Sequence, residues 1–151
     1  MAEKLELLLT DISSLSNQRY KLFFLLPATT NQQKLLNDLN HEGIPTVNIG
    51  LYLSEQLRFV PSDKRPFDVA KWLRKAINDQ KNDVVCLHNI EYLFDPELKQ
   101  NPVKLLETHS GNIVLLVIWP GKAENGVLYY ATPEHPEYYQ NSEYSNSMMI
   151  Y

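Results

Sequence analysis

The chain has 151 residues, 44% of them hydrophobic and 21% charged, with a formal net charge of −4. That length suits one domain able to bury its own core, and that composition excludes a disordered chain. An acidic balance with no basic block longer than two residues does not advertise a broad, sequence-independent grip on nucleic acid. The single cysteine, Cys86, lies in an apolar run, which rules out an intramolecular disulfide and points to a reducing compartment. The first residues are acidic and amphipathic rather than basic and then apolar, unlike a signal peptide. No apolar run reaches the roughly 18 residues of a membrane span. The expectation is a cytoplasmic protein with no membrane partner.

Residues 2–15 place Leu5, Leu8, Leu9, Ile12 and Leu15 at helical spacing and predict an amphipathic helix. Residues 20–26, Tyr-Lys-Leu-Phe-Phe-Leu-Leu, form a short apolar run ended by Pro27, the pattern of a buried strand. A second helix is predicted from Gln32, with Leu35, Leu36 and Leu39 inward and Gly43 as its stop. Residues 45–49 predict a short strand, 50–57 a short helix or turn, and 61–66 a polar loop. Residues 67–78 predict a helix whose apolar stripe is Val69, Trp72, Leu73, Ala76 and Ile77. Phe67 is read with Trp72 and Ile77 as core. Residues 83–87 form the third strand, and Asp95-Pro96 sets proline at a helix start. Residues 102–108 predict a helix, 112–119 the fourth and most hydrophobic strand, and 127–131 a further strand.

Strands alternating with helices, and central strands that are apolar throughout, predict an α/β fold: a three-layer arrangement around a mostly parallel sheet. The domain is expected over 1–132, followed by a Tyr-rich acidic tail over 133–151. In such sheets ligands sit at the carboxyl ends of the strands, so the loops after Leu26, Leu87 and Trp119 are where chemistry is expected.

The first strand, loop and helix have the layout of a phosphate-binding loop. Such a loop uses glycines to wrap backbone N–H groups around phosphates, a Lys for the β/γ-phosphates and a Ser/Thr for magnesium. The residues in that place are Pro27, Ala28, Thr29, Thr30, Asn31, Gln32, Gln33 and Lys34, with no glycine. In one register Leu26 and Asn31 fall on the glycine positions, Gln32 on the Lys and Gln33 on the Ser/Thr. If Lys34 is taken as the Lys, Leu35 replaces the hydroxyl. The alternative is a plain strand-to-helix turn capped by Thr30 or Asn31. The third strand resembles a Walker B strand but ends in His88, followed by Asn89 and Glu91, so the strand-end carboxylate is missing. Glu91 is read either as a base or as a helix-end charge, pointing away from the strand-end position. His88 is read either as a proton switch or as a hydrogen-bonded structural residue. The fourth strand ends in Trp119-Pro-Gly121 with no polar sensor. The frame of a nucleotide hydrolase is present without its catalytic parts.

Other constellations carry less. Cys86 is expected to be a structural thiol, and no metal-ligand spacing is present. Lys64, Arg65, Lys71, Arg74 and Lys75 are candidate nucleic-acid contacts on one helix and its entry loop; the alternative is a solvated face. Six of the nine tyrosines lie at or beyond Tyr129, among Glu134, Glu137 and Glu143. This segment is either a partner-docking surface or a tail packed on its own domain.

Asn48-Ile-Gly-Leu-Tyr-Leu-Ser54, Arg65-Pro66, Asn89-Ile-Glu-Tyr-Leu-Phe-Asp-Pro96, Leu105-Leu106, Trp119-Pro-Gly121 and His135-Pro-Glu-Tyr138 together resemble the BrxF family. These are the small P-loop proteins of type 3 BREX (bacteriophage exclusion) systems. The similarity runs in order and spacing through residues 20–138. It implies a P-loop NTPase-like, AAA-like fold and a role in antiphage defence. The implied partners are other BREX components, namely the large ATPase and the DNA-modifying methyltransferase, with homo-oligomerisation and indirect DNA association as further expectations. The family pattern has an intact phosphate loop and a strand-end acid. Departures at Leu26, Asn31, Gln32, Gln33 and His88 imply a non-catalytic subunit with no cofactor. The alternatives are an ATP- and magnesium-binding or ATP-hydrolysing subunit using Lys34 and Glu91, or a DNA-contacting subunit.

Overall fold

A computed structural model describes residues 2–27 and 31–151. Five strands form one parallel sheet: β1 (Leu22–Leu26), β2 (Thr46–Asn48), β3 (Val84–His88), β4 (Val114–Ile118) and β8 (Met148–Ile150), in the order β2-β3-β4-β1-β8. The helices are α1 (Ala2–Ser14), α2 (Gln32–His41), α3 (Ile49–Leu57), α4 (Arg65–Asn78) and α5 (Pro102–Glu107). Short 3-10 turns follow α1 at Leu15–Asn17 and follow β3 at Ile90–Phe94 and Pro96–Leu98. A second, antiparallel sheet is built from β5 (Lys122–Glu124), β6 (Val127–Tyr130) and β7 (Tyr139–Asn141), in that order.

The central strands are apolar on both faces because both faces are covered. Alternate residues point opposite ways. Leu22, Phe24, Val85, Leu87, Leu115 and Val117 pack with α3, α4 and α5, while Phe23, Leu25, Cys86, Val114, Leu116 and Ile118 pack with α1 and α2. This is an α/β fold in three layers. Register follows from the same alternation: Phe24 pairs with Val117 on β4 and with Met148 on β8.

Most predicted elements are present with ends shifted by one to three residues. The predicted strand over 20–26 starts at Leu22, and the predicted helix over 67–78 starts at Arg65, where Pro66 occupies the first turn. Gly43 closes α2 with φ +77°, a left-handed conformation that glycine adopts at no steric cost. Residues 50–57 lie within a true helix.

The segment from 133 on departs further from expectation. Division of the chain at 132/133 does not mark a structural boundary. β7 pairs with β6, and β8 becomes the fifth strand of the main sheet beside β1. Tyr144 and Tyr151 are buried. The Tyr144 ring meets Phe24 edge-on at 5.2 Å, Tyr139 Oη donates to Asn101 Oδ1 at 2.8 Å, and Lys104 pairs with Glu143 at 3.4 Å. Of the two readings of the Tyr-rich segment, packing on its own domain is what the structure has. Phe67 is also corrected. It lies on the outer face of α4 and is 80% exposed, whereas Ile77 is buried and Trp72 partly so.

Among the described residues, no helix is long and apolar enough to cross a membrane.

Candidate functional site

The chain leaves β1 toward α2 on one face of the sheet and leaves β4 toward β5 and β6, which pack on the other. Adjacent strands whose outgoing connections diverge open a crevice at their carboxyl ends. A cavity of about 510 Å³ occupies that place, lined by Pro27, Gln32, Asn48, His88, Asn89, Glu91, Ile118, Trp119, Pro120 and Gly121. The ends of β1, β2, β3 and β4 all contribute to it.

Its floor is fixed by an amide pair. Asn48 Oδ1 accepts from Leu51 N at 3.0 Å, capping α3, and from Asn89 Nδ2 at 2.8 Å. Asn89 sits in the left-handed region, φ 57° and ψ 49°, a conformation that asparagine tolerates better than other residues with a side chain. Strain of this kind persists where surrounding contacts hold it. Gly50, the second residue of α3, supplies such a contact: a Cβ there would land on the Asn89 carbonyl oxygen. The residue after β3 is therefore held between an amide partner and a glycine with no room to spare.

The reversal at Asn89 corrects the reading of Glu91. A regular helical turn after β3 would aim Glu91 away. The left-handed residue followed by a 3-10 turn instead brings it to the cavity wall. His88 also lines the cavity. Burial lowers its pKa below the ordinary histidine range, and the nearby Glu91 carboxylate opposes that effect. Trp119 forms the back wall. Its indole N–H donates to the Tyr129 carbonyl at 2.9 Å, and its ring meets Phe24 and Phe94 edge-on, each at 5.6 Å. The single donor of the indole is thereby taken up.

Asn31, Gln33 and Lys34, the other phosphate-loop candidates among the described residues, do not line the cavity. Gln33 Nε2 donates to Asn37 Oδ1 at 3.1 Å along the surface of α2. Lys34 Nζ lies 3.4 Å from Asp38 Oδ1, an i,i+4 pair. Asn31 stands at the N-cap position of α2 but makes no capping bond; its amide donates to the Tyr151 carbonyl at 3.3 Å. Thr29 and Thr30 lie outside the described residues. Cys86 is buried in the core, and burial pushes its thiol up to about 12, the state of an inert structural residue.

The basic candidates are elsewhere, around α4. Arg65 Nε donates to the Val60 carbonyl at 2.9 Å, and Lys75 pairs with Asp79 at 3.3 Å. Lys64, Lys71 and Arg74 are exposed.

Tyr151 is a residue the sequence reading did not connect to this region. Its N–H donates to the Leu26 carbonyl at 3.1 Å, extending the β1–β8 pairing to the start of the β1–α2 turn. Its phenol donates to Asp38 Oδ2 at 2.6 Å, and its carbonyl accepts from Lys4 at 3.2 Å. The phenol holds the Asp38 carboxyl below the usual carboxylate range against the opposing effect of burial. No local signal foretells a contact between positions 120 apart.

The cavity therefore presents amides, an imidazole and one carboxylate. Among the described lining residues there is no Lys or Arg, so these side chains do not fit a triphosphate, which fixed cations ordinarily neutralise. Nor do the described residues hold a group of three or more His, Cys, Asp or Glu placed for a metal ion. No protein-family model matches this chain, and neither a search of curated proteins nor one of solved structures finds a match.

Proposed function

We propose that the chain is a non-catalytic, P-loop-like assembly and regulatory subunit of a BREX-type antiphage defence complex, its nucleotide site degenerate. It works in the cytoplasm beside the large ATPase and the methyltransferase. The observation that carries the non-catalytic part is a strand-end cavity with no Lys or Arg among its described lining residues, with Lys34 paired to Asp38 on the surface of α2. The resemblance of residues 20–138 to BrxF supports the defence context, and a parallel sheet covered on both faces agrees with the P-loop-like frame.

A thermal-shift titration with ATP, ADP and magnesium tests the loss of nucleotide. A ligand at 100 times its dissociation constant adds about 2.7 kcal/mol to stability. The expected result is no shift for the wild type, and a shift that appears only when Gln32→Lys/Gln33→Thr restores the missing side chains. A clear shift of the wild type overturns the reading. For the assembly role, mass photometry of the chain with the large ATPase and the methyltransferase is expected to show a complex; monomer alone argues against it.

The position of Glu91 on the cavity wall favours one second reading, an ATPase with Glu91 as its carboxylate. Its mark is magnesium-dependent phosphate release that disappears in Glu91→Gln.

A further inference from the structure

The charge of this acidic chain is unevenly distributed. Residues 58–75 contain Arg58, Lys64, Arg65, Lys71, Arg74 and Lys75 against Asp63 and Asp68. That segment carries +4, so with −4 overall the remainder carries −8. In the fold it is the C-cap of α3, the loop that follows and most of α4. Arg65 Nε bonded to the Val60 carbonyl ties the two ends of the loop together.

The same segment exposes two large aromatic rings. Phe59 and Phe67 are each 80% exposed, the most exposed large hydrophobic residues among those described. The guanidinium of Arg58 lies 4.6 Å from the centroid of the Phe59 ring, covering one face and leaving the other open. On α4, Lys64, Phe67, Lys71 and Arg74 follow one another at three- and four-residue spacing, so they share one side of the helix. Lys75 is partly neutralised by Asp79. Among the described residues Arg58, Lys64, Lys71 and Arg74 make no carboxylate pair, and Lys71 Nζ lies 4.9 Å from the centroid of the Trp72 ring.

We propose that this α3–α4 surface binds single-stranded nucleic acid, its cations meeting the phosphates and Phe59 and Phe67 stacking on the bases. A net positive surface in an otherwise strongly negative chain is complementary to a polyanion. Exposed rings between the cations favour a strand whose base faces are free, because a duplex hides those faces within its own stack. An acidic protein segment would satisfy the charges but would leave both rings in water.

The test is fluorescence anisotropy of the full chain with a labelled oligothymidine of about 20 nucleotides, longer than the roughly 4–16 nucleotides covered by one small domain. Binding with a dissociation constant in the range of about 1–100 μM at about 50 mM salt is expected for such a surface. Displacing counterions at the four named cations weakens it about 50-fold on going to about 200 mM salt. Phe59→Ala and Phe67→Ala each weaken it about tenfold. Because all these side chains are exposed, the variants are expected to keep the wild-type melting temperature, which separates lost binding from lost folding.

No binding at about 100 μM protein and about 50 mM salt overturns the proposal. So does binding that Lys71→Glu/Arg74→Glu leaves unchanged. Equal affinity for duplex and single strand, with no effect of the phenylalanine substitutions, overturns the stacking assignment. Equal affinity for a labelled polyglutamate peptide assigns the surface to acidic proteins instead.

Discussion

The two faces of the five-stranded sheet use the same strands and hold them differently. All the aromatic pairs among the described residues lie on the side of α3, α4 and the small sheet: Phe24, Phe94, Trp119, Tyr130, Tyr139 and Tyr144 form a connected lattice, and Tyr52 meets Trp72 beside it. The side of α1 and α2 is aliphatic, with Phe23 and Tyr151 as its aromatic members. Edge-to-face rings are directional, whereas branched aliphatic chains fill volume with little directional preference. The aromatic side is therefore the one that can fix the loops at the strand ends, and Trp119 is both part of the lattice and the back wall of the cavity. At its edge the aliphatic side includes Tyr151, bonded to Leu26 and Asp38.

Substitutions can break or sharpen that contrast. The largest effect is expected at Phe24, which is fully buried and touches both Trp119 and Tyr144. Phe24→Ala should cost about 3–5 kcal/mol in denaturant unfolding. A gentler pair tests directionality itself. Phe24→Leu loses two edge-to-face contacts at about 0.5–1.5 kcal/mol each, so it should cost about 1–3 kcal/mol more than Phe23→Leu. Equal costs would erase the distinction between the faces.

Gly50→Ala comes next. The new methyl group meets the backbone carbonyl of Asn89, whose side-chain amide is tied to Asn48 Oδ1. A cost of about 1–3 kcal/mol is expected, measured by the same unfolding transition. A neutral substitution would mean that the Asn89 turn is free to move.

On the aliphatic side, Tyr151→Phe keeps the ring and removes the hydrogen bond to Asp38. About 1 kcal/mol is expected at neutral pH. The sign with pH follows from linkage. The Asp38 carboxyl is held below its unfolded value, so the stabilisation is full above the usual carboxylate range. It is lost as the pH falls through the folded-state value. The difference between Tyr151→Phe and wild type should therefore fade on acidification, and a gap that stays constant would remove Asp38 from the account.

The smallest effect on stability is expected at exposed Glu91. Glu91→Gln should stay within about 0.5 kcal/mol of wild type. Its readout is His88 instead. Burial lowers the His88 pKa and Glu91 partly restores it, so removing the charge should move the NMR titration midpoint of His88 further down. An unchanged midpoint would take Glu91 off the cavity wall. Because His88 is held below its unfolded value, its neutral form favours folding at high pH, and this contribution declines as the pH drops through the ordinary histidine range.

By itself the sequence determined the α/β class, the four strands β1 to β4 and the helices between them. Apolar runs closed by proline, and leucines at helical spacing, are written within a few consecutive residues. It also determined that no glycine-lined phosphate loop exists, since that is a matter of residue type. Tertiary structure alone decided where the last residues go. β8 is three residues long, and its place beside β1 is set by partners more than a hundred positions away, a pairing that local pattern does not encode. Glu91 reached the cavity through the left-handed turn at Asn89, and helical periodicity cannot foresee a break in the helix it assumes. Phe67 turned outward because α4 has one inward stripe. Val69, Leu73, Ala76 and Ile77 already fill that stripe, and a helix cannot bury every side at once.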